Sequence, residues 1–182
     1  MKLWLVRHAQ VLLPPGICYG ATDVAADAAA TLSAAQALAA ELPPELPLWV
    51  SPLQRCEQLA QALQGLRPDL AYKTTEPRLA EMDFGHWEGQ AWSSIPQSAL
   101  DAWVADFAHH RFGGRESVAD VMQRVTLAWD AARQAGQDVA WITHAGVIRA
   151  ASLLHRGVRQ VQRADQWPKE GPGFGDWLTL ES

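Results

Sequence analysis

Short apolar runs alternate along the chain with longer segments whose apolar residues recur at helical spacing. The runs at 2–6, Leu48–Val50 and Val139–Thr143 predict buried strands, since three to five consecutive apolar residues are typical of a sheet covered on both faces. Weaker runs at 71–75 and 177–180 predict two further strands. The hydrophobic pattern therefore predicts five strands spread over the whole chain.

Helices are predicted between these strands. The alanine-rich segment 27–42 opens on Asp27, a good N-cap, and ends before Pro43. Residues 53–66 follow Pro52, and residues 98–108 also fit a helix. Ser117 and Asp120 resemble a capping box that opens a helix running to about 135, and a last helix spans 145–155. Strands alternating with helices predict an α/β fold, a three-layer sandwich with a mostly parallel central sheet flanked by helices.

Composition narrows the class of protein. A chain of 182 residues with 48% hydrophobic and 19% charged residues fits one globular domain, residues 1–182. No apolar run approaches the roughly 20 residues that span a bilayer, and the N-terminus lacks a secretory signal, so we expect a soluble cytoplasmic protein. Cys18 and Cys56 are widely spaced, which argues against a disulfide framework or a zinc site.

The net charge of −5 argues against a nucleic-acid surface, which would carry a basic stripe. It leaves room for a small anionic substrate, because a few arginines in one pocket can bind phosphate on an acidic protein. The chain also carries 9 tryptophans. Trp92 and Trp103 fit either core packing or a contact in a homodimer, and the sequence leaves the oligomeric state open.

Basic side chains follow three of the predicted strands. Arg7 and His8 follow the first strand, Arg55 comes shortly after the second, and His144 follows the fourth. In parallel sheets ligands bind at the carboxyl ends of strands, so these four residues would converge if the strands are neighbours. A neutral imidazole is a good nucleophile near pH 7, and guanidinium groups bind phosphate oxygens. The set predicts phosphoryl transfer through histidine, with the positive charge supplied by side chains.

Cleavage of a phosphomonoester also requires a proton for the leaving alkoxide. Residues 79–89 are too irregular for a helix and contain two glycines, so they predict a loop, held down by Phe84 and Trp87. This loop carries three acidic residues, any of which could be the acid: Glu81, Asp83 and Glu88.

Four motifs in order resemble the histidine phosphatase superfamily, in its phosphoglycerate mutase-like branch: LVRH at 5–8, SPLQR at 51–55, LxExxFGxWEG at 79–89 and THxGVIR at 143–149. The segment GICYGATDV at 16–24 is similar to the variant found in α-ribazole phosphatase-like proteins, which act in assembling the nucleotide loop of cobalamin.

The resemblance implies a role for each matching residue. His8 would be the nucleophile that becomes phosphohistidine, and Glu81 would donate a proton to the leaving group. Arg7, Arg55 and a cationic His144 would hold the phosphoryl oxygens. Tyr19, Gly20 and the backbone N–H groups of Ala145 and Gly146 would contact the substrate, a small phosphorylated metabolite. The family uses no metal and no organic cofactor.

Some positions depart from the family pattern. Ala9 and Ala145 stand where glycine is common, and Pro14 stands where relatives place an asparagine that donates to the phosphate. The five central residues are all present, so we expect a phosphomonoesterase. The alternatives are a phosphoglycerate mutase, which is generally longer and has an insertion that seals the pocket, and a degenerate protein that only binds a phosphorylated ligand. In relatives, a stretch comparable to 163–175 crosses back near the site.

Overall fold

The sheet of this protein has five strands, and the computed structural model describes residues 1–70 and 72–181. The strands are β1 (Lys2–Arg7), β2 (Leu48–Val50), β3 (Lys73–Thr75), β4 (Val139–Thr143) and β5 (Trp177–Glu181), in the spatial order β3-β2-β4-β1-β5. The first four run parallel, and β5 pairs with β1 in the antiparallel direction. The predicted third strand is shorter than expected; Ala71 lies outside the described residues.

Five α-helices connect and cover the strands: α1 (Ala28–Glu41), α2 (Gln54–Leu66), α3 (Gln97–Ala105), α4 (Val118–Ala135) and α5 (Ala145–His155). The predicted N-caps of α1 and α4 are both present. Asp27 accepts a hydrogen bond from the Ala30 N–H, and Ser117 and Asp120 form a full capping box. Helix α3 is shorter than predicted, because Asp106 leaves the helical region at φ −131° and ψ 61°.

Successive residues of β1 face opposite layers. Leu3 and Leu5 pack with α4 and α5, whereas Trp4 and Val6 pack with α1 and α2. Both faces of the sheet are thus buried under helices, as the unbroken apolar runs predicted. This arrangement confirms the α/β fold with a mostly parallel sheet between two helical layers. None of the helices in the described part of the chain is long and apolar enough to cross a membrane.

The register of the parallel strands positions the site. Val6 of β1 pairs with Ile142 of β4, and Val50 of β2 pairs with the same residue from the other side. The residues that follow, His8, Ser51 and His144, therefore leave the sheet at one edge and at nearly the same height. The carboxyl ends of β1, β2 and β4 form the floor of the candidate site.

Candidate active site

The two histidines predicted at strand ends lie side by side. The His8 N–H donates to the Thr143 carbonyl at 3.1 Å, which continues the pairing of β1 with β4. The ring centroids of His8 and His144 are 5.1 Å apart, and both side chains are buried. Residues 136 positions apart in the chain are thus brought together by sheet order alone.

The His8 ring has one nitrogen committed to the backbone. Its Nδ1 lies 2.8 Å from the Ala9 carbonyl oxygen, which only accepts, so Nδ1 carries the hydrogen and Nε2 carries the lone pair. Burial, with the nearby charges of Arg55 and Arg7, lowers the pKa of His8 to about 3. The imidazole is therefore neutral at pH 7, with Nε2 available as a nucleophile.

The closest polar contacts of the His144 ring are with Arg55 and Ser51. Arg55 Nε donates to His144 Nδ1 at 3.2 Å, and His144 Nε2 lies 2.7 Å from Ser51 Oγ. Nδ1 therefore accepts, and Nε2–H donates to the hydroxyl. Burial and the Arg55 charge hold the pKa of His144 well below its ordinary value. With no anion beside it the ring is therefore neutral, because burial and the neighbouring guanidinium disfavour the protonated form; a cationic His144 that holds a phosphoryl group stays a prediction.

Ser51 was not among the predicted site residues. It is fully buried and directly follows β2, in the same position that His8 and His144 occupy after their own strands. As a polar residue directly after a predicted strand, Ser51 could have been selected from the sequence.

Arg55 is fully buried on the first turn of α2. Its Nη2 donates to the Gly20 carbonyl at 2.6 Å and its Nη1 to the Thr22 carbonyl at 2.8 Å. The guanidinium also lies 5.3 Å from the Tyr19 ring centroid. These contacts use three of its five N–H groups, so Arg55 both fixes the loop carrying Tyr19 and Gly20 and keeps donors for an anion.

Arg7 reaches the same region from the end of β1. Its guanidinium carbon lies 3.9 Å from the centroid of the Phe174 ring, and its Nη1 donates to the Pro172 carbonyl at 3.2 Å. A side-chain hydrogen bond joins it to Tyr19, and Glu81 is close enough to interact with its charge. Arg7 Nε is buried and has no hydrogen-bond partner among the described residues.

The C-terminal segment 172–176, here called the tail strap, crosses the site. Gly175 N–H donates to the His8 carbonyl at 3.0 Å, and Arg7 N–H donates to the Asp176 carbonyl at 3.0 Å. The Phe174 ring lies 5.5 Å from the His8 ring. The tail strap therefore covers the nucleophile and one arginine with a single aromatic ring, a contact that no local pattern in the sequence indicated.

Of the three acidic residues on the loop, Glu81 has the contacts that place it at the site. Its Oε2 accepts from the Gly146 N–H at 3.0 Å, and its Oε1 accepts from the Met82 N–H at 3.0 Å. Asp83 instead accepts from the Gly85 N–H at 2.8 Å and pairs with Arg115. Glu88 accepts from three backbone N–H groups and from the Thr22 hydroxyl, which makes it a brace for the loop.

Helix α4 anchors the loop that carries Glu81. Arg124 on α4 donates to the Ala80 carbonyl at 2.6 Å and to the Arg78 carbonyl at 2.8 Å. The same guanidinium pairs with Glu116, which accepts from the Asp83 N–H at 3.1 Å. The acid is thus held through backbone contacts on both sides of it.

The start of α5 lies beside Glu81. His144 is the N-cap, and Ala145 is the first helical residue, where backbone N–H groups have no partner within the helix. Gly146 was expected to offer its N–H to the substrate. In this arrangement that N–H donates to Glu81 and holds its carboxylate, and a contact between Gly146 and the substrate stays a prediction.

Among the residues that the structure describes, no group of three or more His, Cys, Asp or Glu side chains is arranged to hold a metal ion. The two cysteines are buried thiols, and burial raises the pKa of Cys18 to about 12. The polar groups described at the site are imidazole, guanidinium and carboxylate groups, together with the Ser51 hydroxyl and the Tyr19 phenol.

Comparison with known proteins places the chain in a family. The sequence profile of the histidine phosphatase superfamily (branch 1) matches residues 3–169. No curated protein matches the chain significantly. Among solved structures, TTHB049 from Thermus thermophilus is 26% identical and has a TM-score of 0.72, and the match covers 100% of this chain and 94% of that one.

Two mycobacterial structures have the same fold. Mycobacterial hydrolase 2 is 23% identical with a TM-score of 0.79, over 98% of this chain and 80% of that one. The complex of mycobacterial glucosyl-3-phosphoglycerate phosphatase with inorganic phosphate is 23% identical with a TM-score of 0.79, over 99% of this chain and 89% of that one. On the profile match over most of its length, the chain belongs to the histidine phosphatase superfamily.

Proposed function

We propose that this protein is a metal-independent phosphomonoesterase that works through a phosphohistidine on His8. The observation that carries the proposal is the arrangement around that ring. Its Nδ1 is tied to the Ala9 carbonyl, while two arginines and Glu81 lie on neighbouring elements. Family membership supports phosphatase or phosphoryl-transfer chemistry in general.

In the first half-reaction, His8 Nε2 attacks the phosphorus atom and the bond from phosphorus to the ester oxygen breaks. Arg7 and the free donors of Arg55 stabilise the charge on the phosphoryl oxygens. Glu81 gives its proton to the departing alkoxide, which leaves as an alcohol. His144 is positioned by Ser51 and Arg55 and reaches the phosphoryl group only if its ring exchanges one of those contacts.

In the second half-reaction, water attacks the phosphohistidine, and Glu81 accepts the proton that the water loses. The N–P bond breaks, His8 is restored and inorganic phosphate leaves. A mutase would instead return the phosphoryl group to another hydroxyl of the substrate. A mutase must also hold a second anionic group of its substrate, which requires several cations. The cavity beside Glu81, described below, has one cationic lining residue, Arg149, and this favours hydrolysis.

We further propose a small phosphorylated metabolite as substrate, with α-ribazole 5′-phosphate as the first candidate to test. The support is the similarity of residues 16–24 to α-ribazole phosphatase-like proteins, because Tyr19 and Gly20 in that segment contact Arg55. The mycobacterial neighbour that is a glucosyl-3-phosphoglycerate phosphatase makes sugar and glycerate phosphates the competing candidates.

Phosphoryl labelling tests the nucleophile. Acetyl phosphate carrying ³²P should label the wild-type protein transiently, and the label should be acid-labile, as expected for a phosphohistidine. His8→Ala should take up no label and should lose turnover. Label that persists in His8→Ala would overturn the assignment, and His86→Ala serves as the matched control.

Leaving-group dependence tests Glu81. Glu81→Gln should slow the hydrolysis of alkyl phosphates by about 100-fold, but that of nitrophenyl phosphates by much less, since their leaving groups need no proton. The measurement is kcat/KM for both esters. Equal losses on both would show that Glu81 is not the acid.

A further inference from the structure

A cavity of about 220 Å³ opens beside the candidate acid. Glu81 and Gly146 are among the residues that line it, so a group attached to the oxygen that Glu81 would protonate lies next to this cavity. Its walls are built largely from five aromatic side chains, which are contributed by the acidic loop, by residues 92–107 and by the segment after α5: Phe84, Trp92, Trp103, Phe107 and Trp167. The remaining charged residue on its wall is Arg149.

The aromatic side chains of the walls pack on one another. Trp103 stacks on Phe107 with centroids 5.6 Å apart, and Phe107 meets the Trp167 ring at 6.2 Å. Phe84 contacts Trp92 and Trp103 edge-on at 5.7 and 6.1 Å. A preformed apolar cavity of this kind binds flat apolar groups without first rearranging its walls.

The size of the cavity suits one ring system. A dry engineered cavity of roughly 150 Å³ is enough to bind benzene, so about 220 Å³ accommodates a phenyl ring or a somewhat larger bicyclic ring.

From these observations we infer that the cavity is a leaving-group subsite that selects phosphate monoesters of alcohols bearing an aromatic ring. The inference rests on the proposed phosphomonoesterase activity and adds the chemical class of its substrate. Small hydrophilic alcohols such as glycerol or glycerate would leave the aromatic walls uncovered and would gain little from binding here. Bound in this way, the ring would also keep bulk water away from Glu81.

The test compares esters that differ only in the ring. The alcohols released from 2-phenylethyl phosphate and propyl phosphate are similarly poor leaving groups, so the chemical step is matched. We expect kcat/KM to be at least about 10-fold higher for the phenylethyl ester, from the apolar area buried. A ratio near one, or a preference for glycerol 3-phosphate, would overturn the inference.

Variants of the cavity residues test whether the preference for the phenylethyl ester arises in this cavity. Trp167→Ala should lower the ratio of the two kcat/KM values by about 5-fold, because one wall of the cavity is lost. Val121→Phe, which places a ring inside the cavity, provides a second test if the first variant folds poorly, and it should lower the ratio further. Tyr72→Leu, on an exposed residue outside the cavity, should leave the ratio unchanged. An unchanged ratio in both cavity variants would refute the subsite.

Failure of the activity and failure of the subsite can be told apart. Acetyl phosphate releases a leaving group without a ring, so the labelling of His8 by this compound reports on the phosphoryl-transfer activity alone. If labelling succeeds and the ratio is near one, the subsite is wrong and the activity stands. If labelling fails, calorimetric binding of the two esters to the wild-type protein decides the subsite: tighter binding of the phenylethyl ester supports it, and equal binding refutes it.

Discussion

The absence of a side chain at Gly146 leaves the space that the Glu81 carboxylate occupies. A Cβ built on this residue would lie 2.3 Å from Glu81 Oε1, far inside van der Waals contact. The Gly146 N–H also donates to the other carboxylate oxygen. Glycine is therefore needed here because the carboxylate lies directly against the helix backbone.

Gly146→Ala should displace the Glu81 carboxylate while leaving α5 intact, since alanine favours the helix. We expect kcat on alkyl phosphates to fall by roughly 10- to 100-fold, with a smaller loss on nitrophenyl phosphates, because the proton donor is misplaced. Steady-state kinetics on both esters measure the effect.

Gly65→Ala is the control for adding a methyl group to a helix. A Cβ at Gly65, near the end of α2, meets nothing within 4 Å. It should leave turnover unchanged and stabilise the fold by about 0.5–1 kcal/mol. Wild-type turnover in Gly146→Ala would show that Glu81 does not act from the position described.

At the scale of residues, the sequence predicted which side chains meet when those side chains directly follow a strand. Arg7, His8 and His144 could be selected because strand ends in parallel sheets face ligands, and the structure brings them together. Protonation could not be predicted: the neutral form of His144 depends on burial and on Arg55, which only tertiary structure reveals. The roles of all these residues in catalysis stay predictions.

At the scale of elements, caps and alternation determined most boundaries. The Ser117 capping box was visible in the sequence, and α4 begins after Ser117 and ends at Ala135, where predicted. The tail strap had no such signal in its own residues, and only the resemblance, in which a stretch comparable to 163–175 crosses back near the site, pointed to it. Its residues follow no helical or strand period, and its position depends on contacts with Arg7 and His8 that are more than 160 residues distant.

The tail strap should contribute to anion binding. Phe174→Leu would remove the aromatic face beneath the Arg7 guanidinium, an interaction worth about 1 kcal/mol at a partly desolvated site. We therefore expect vanadate or phosphate to bind about 5-fold more weakly, as measured by calorimetry.

Phe174→Tyr keeps the ring and is the matched variant. It should bind the anion within about twofold of the wild type. If the leucine and tyrosine variants bind equally well, the ring does not orient Arg7, and the strap is only a cover.

At the scale of the whole molecule, the strand order β3-β2-β4-β1-β5 decides where the chemistry lies. It makes β4 the neighbour of both β1 and β2, so the residues after all three strands meet. The apolar runs predicted that strands exist, but not which strands pair, because buried parallel strands share nearly the same composition. From the sequence, it could only be said that the residues after these strands would meet if the strands are neighbours.

Two buried neutral histidines make the stability of the fold depend on pH. In the unfolded chain a histidine takes up its proton near pH 6.5, whereas the folded protein lowers the pKa of His8 to about 3 and that of His144 well below its ordinary value. Below about pH 6.5 the unfolded state therefore binds more protons, and the free energy of unfolding should fall by up to about 1.4 kcal/mol per pH unit for each histidine.

Urea unfolding at pH 7, 6 and 5 would measure this, since carboxylates titrate mainly below about pH 4.5. In His8→Ala the slope should be about half that of the wild type. A free energy of unfolding that is constant from pH 7 to 5 would mean that the two rings are protonated in the folded protein.

Arg55 carries its charge inside the protein, and its contacts are carbonyl groups and a neutral ring, with no carboxylate within pairing distance in the described chain. An interior cation without a counterion is costly, and a bound dianion would remove that cost. Orthophosphate, the product of the proposed reaction, would thus stabilise the folded protein when it is bound beside Arg55. Added phosphate should therefore raise the temperature at which the protein unfolds.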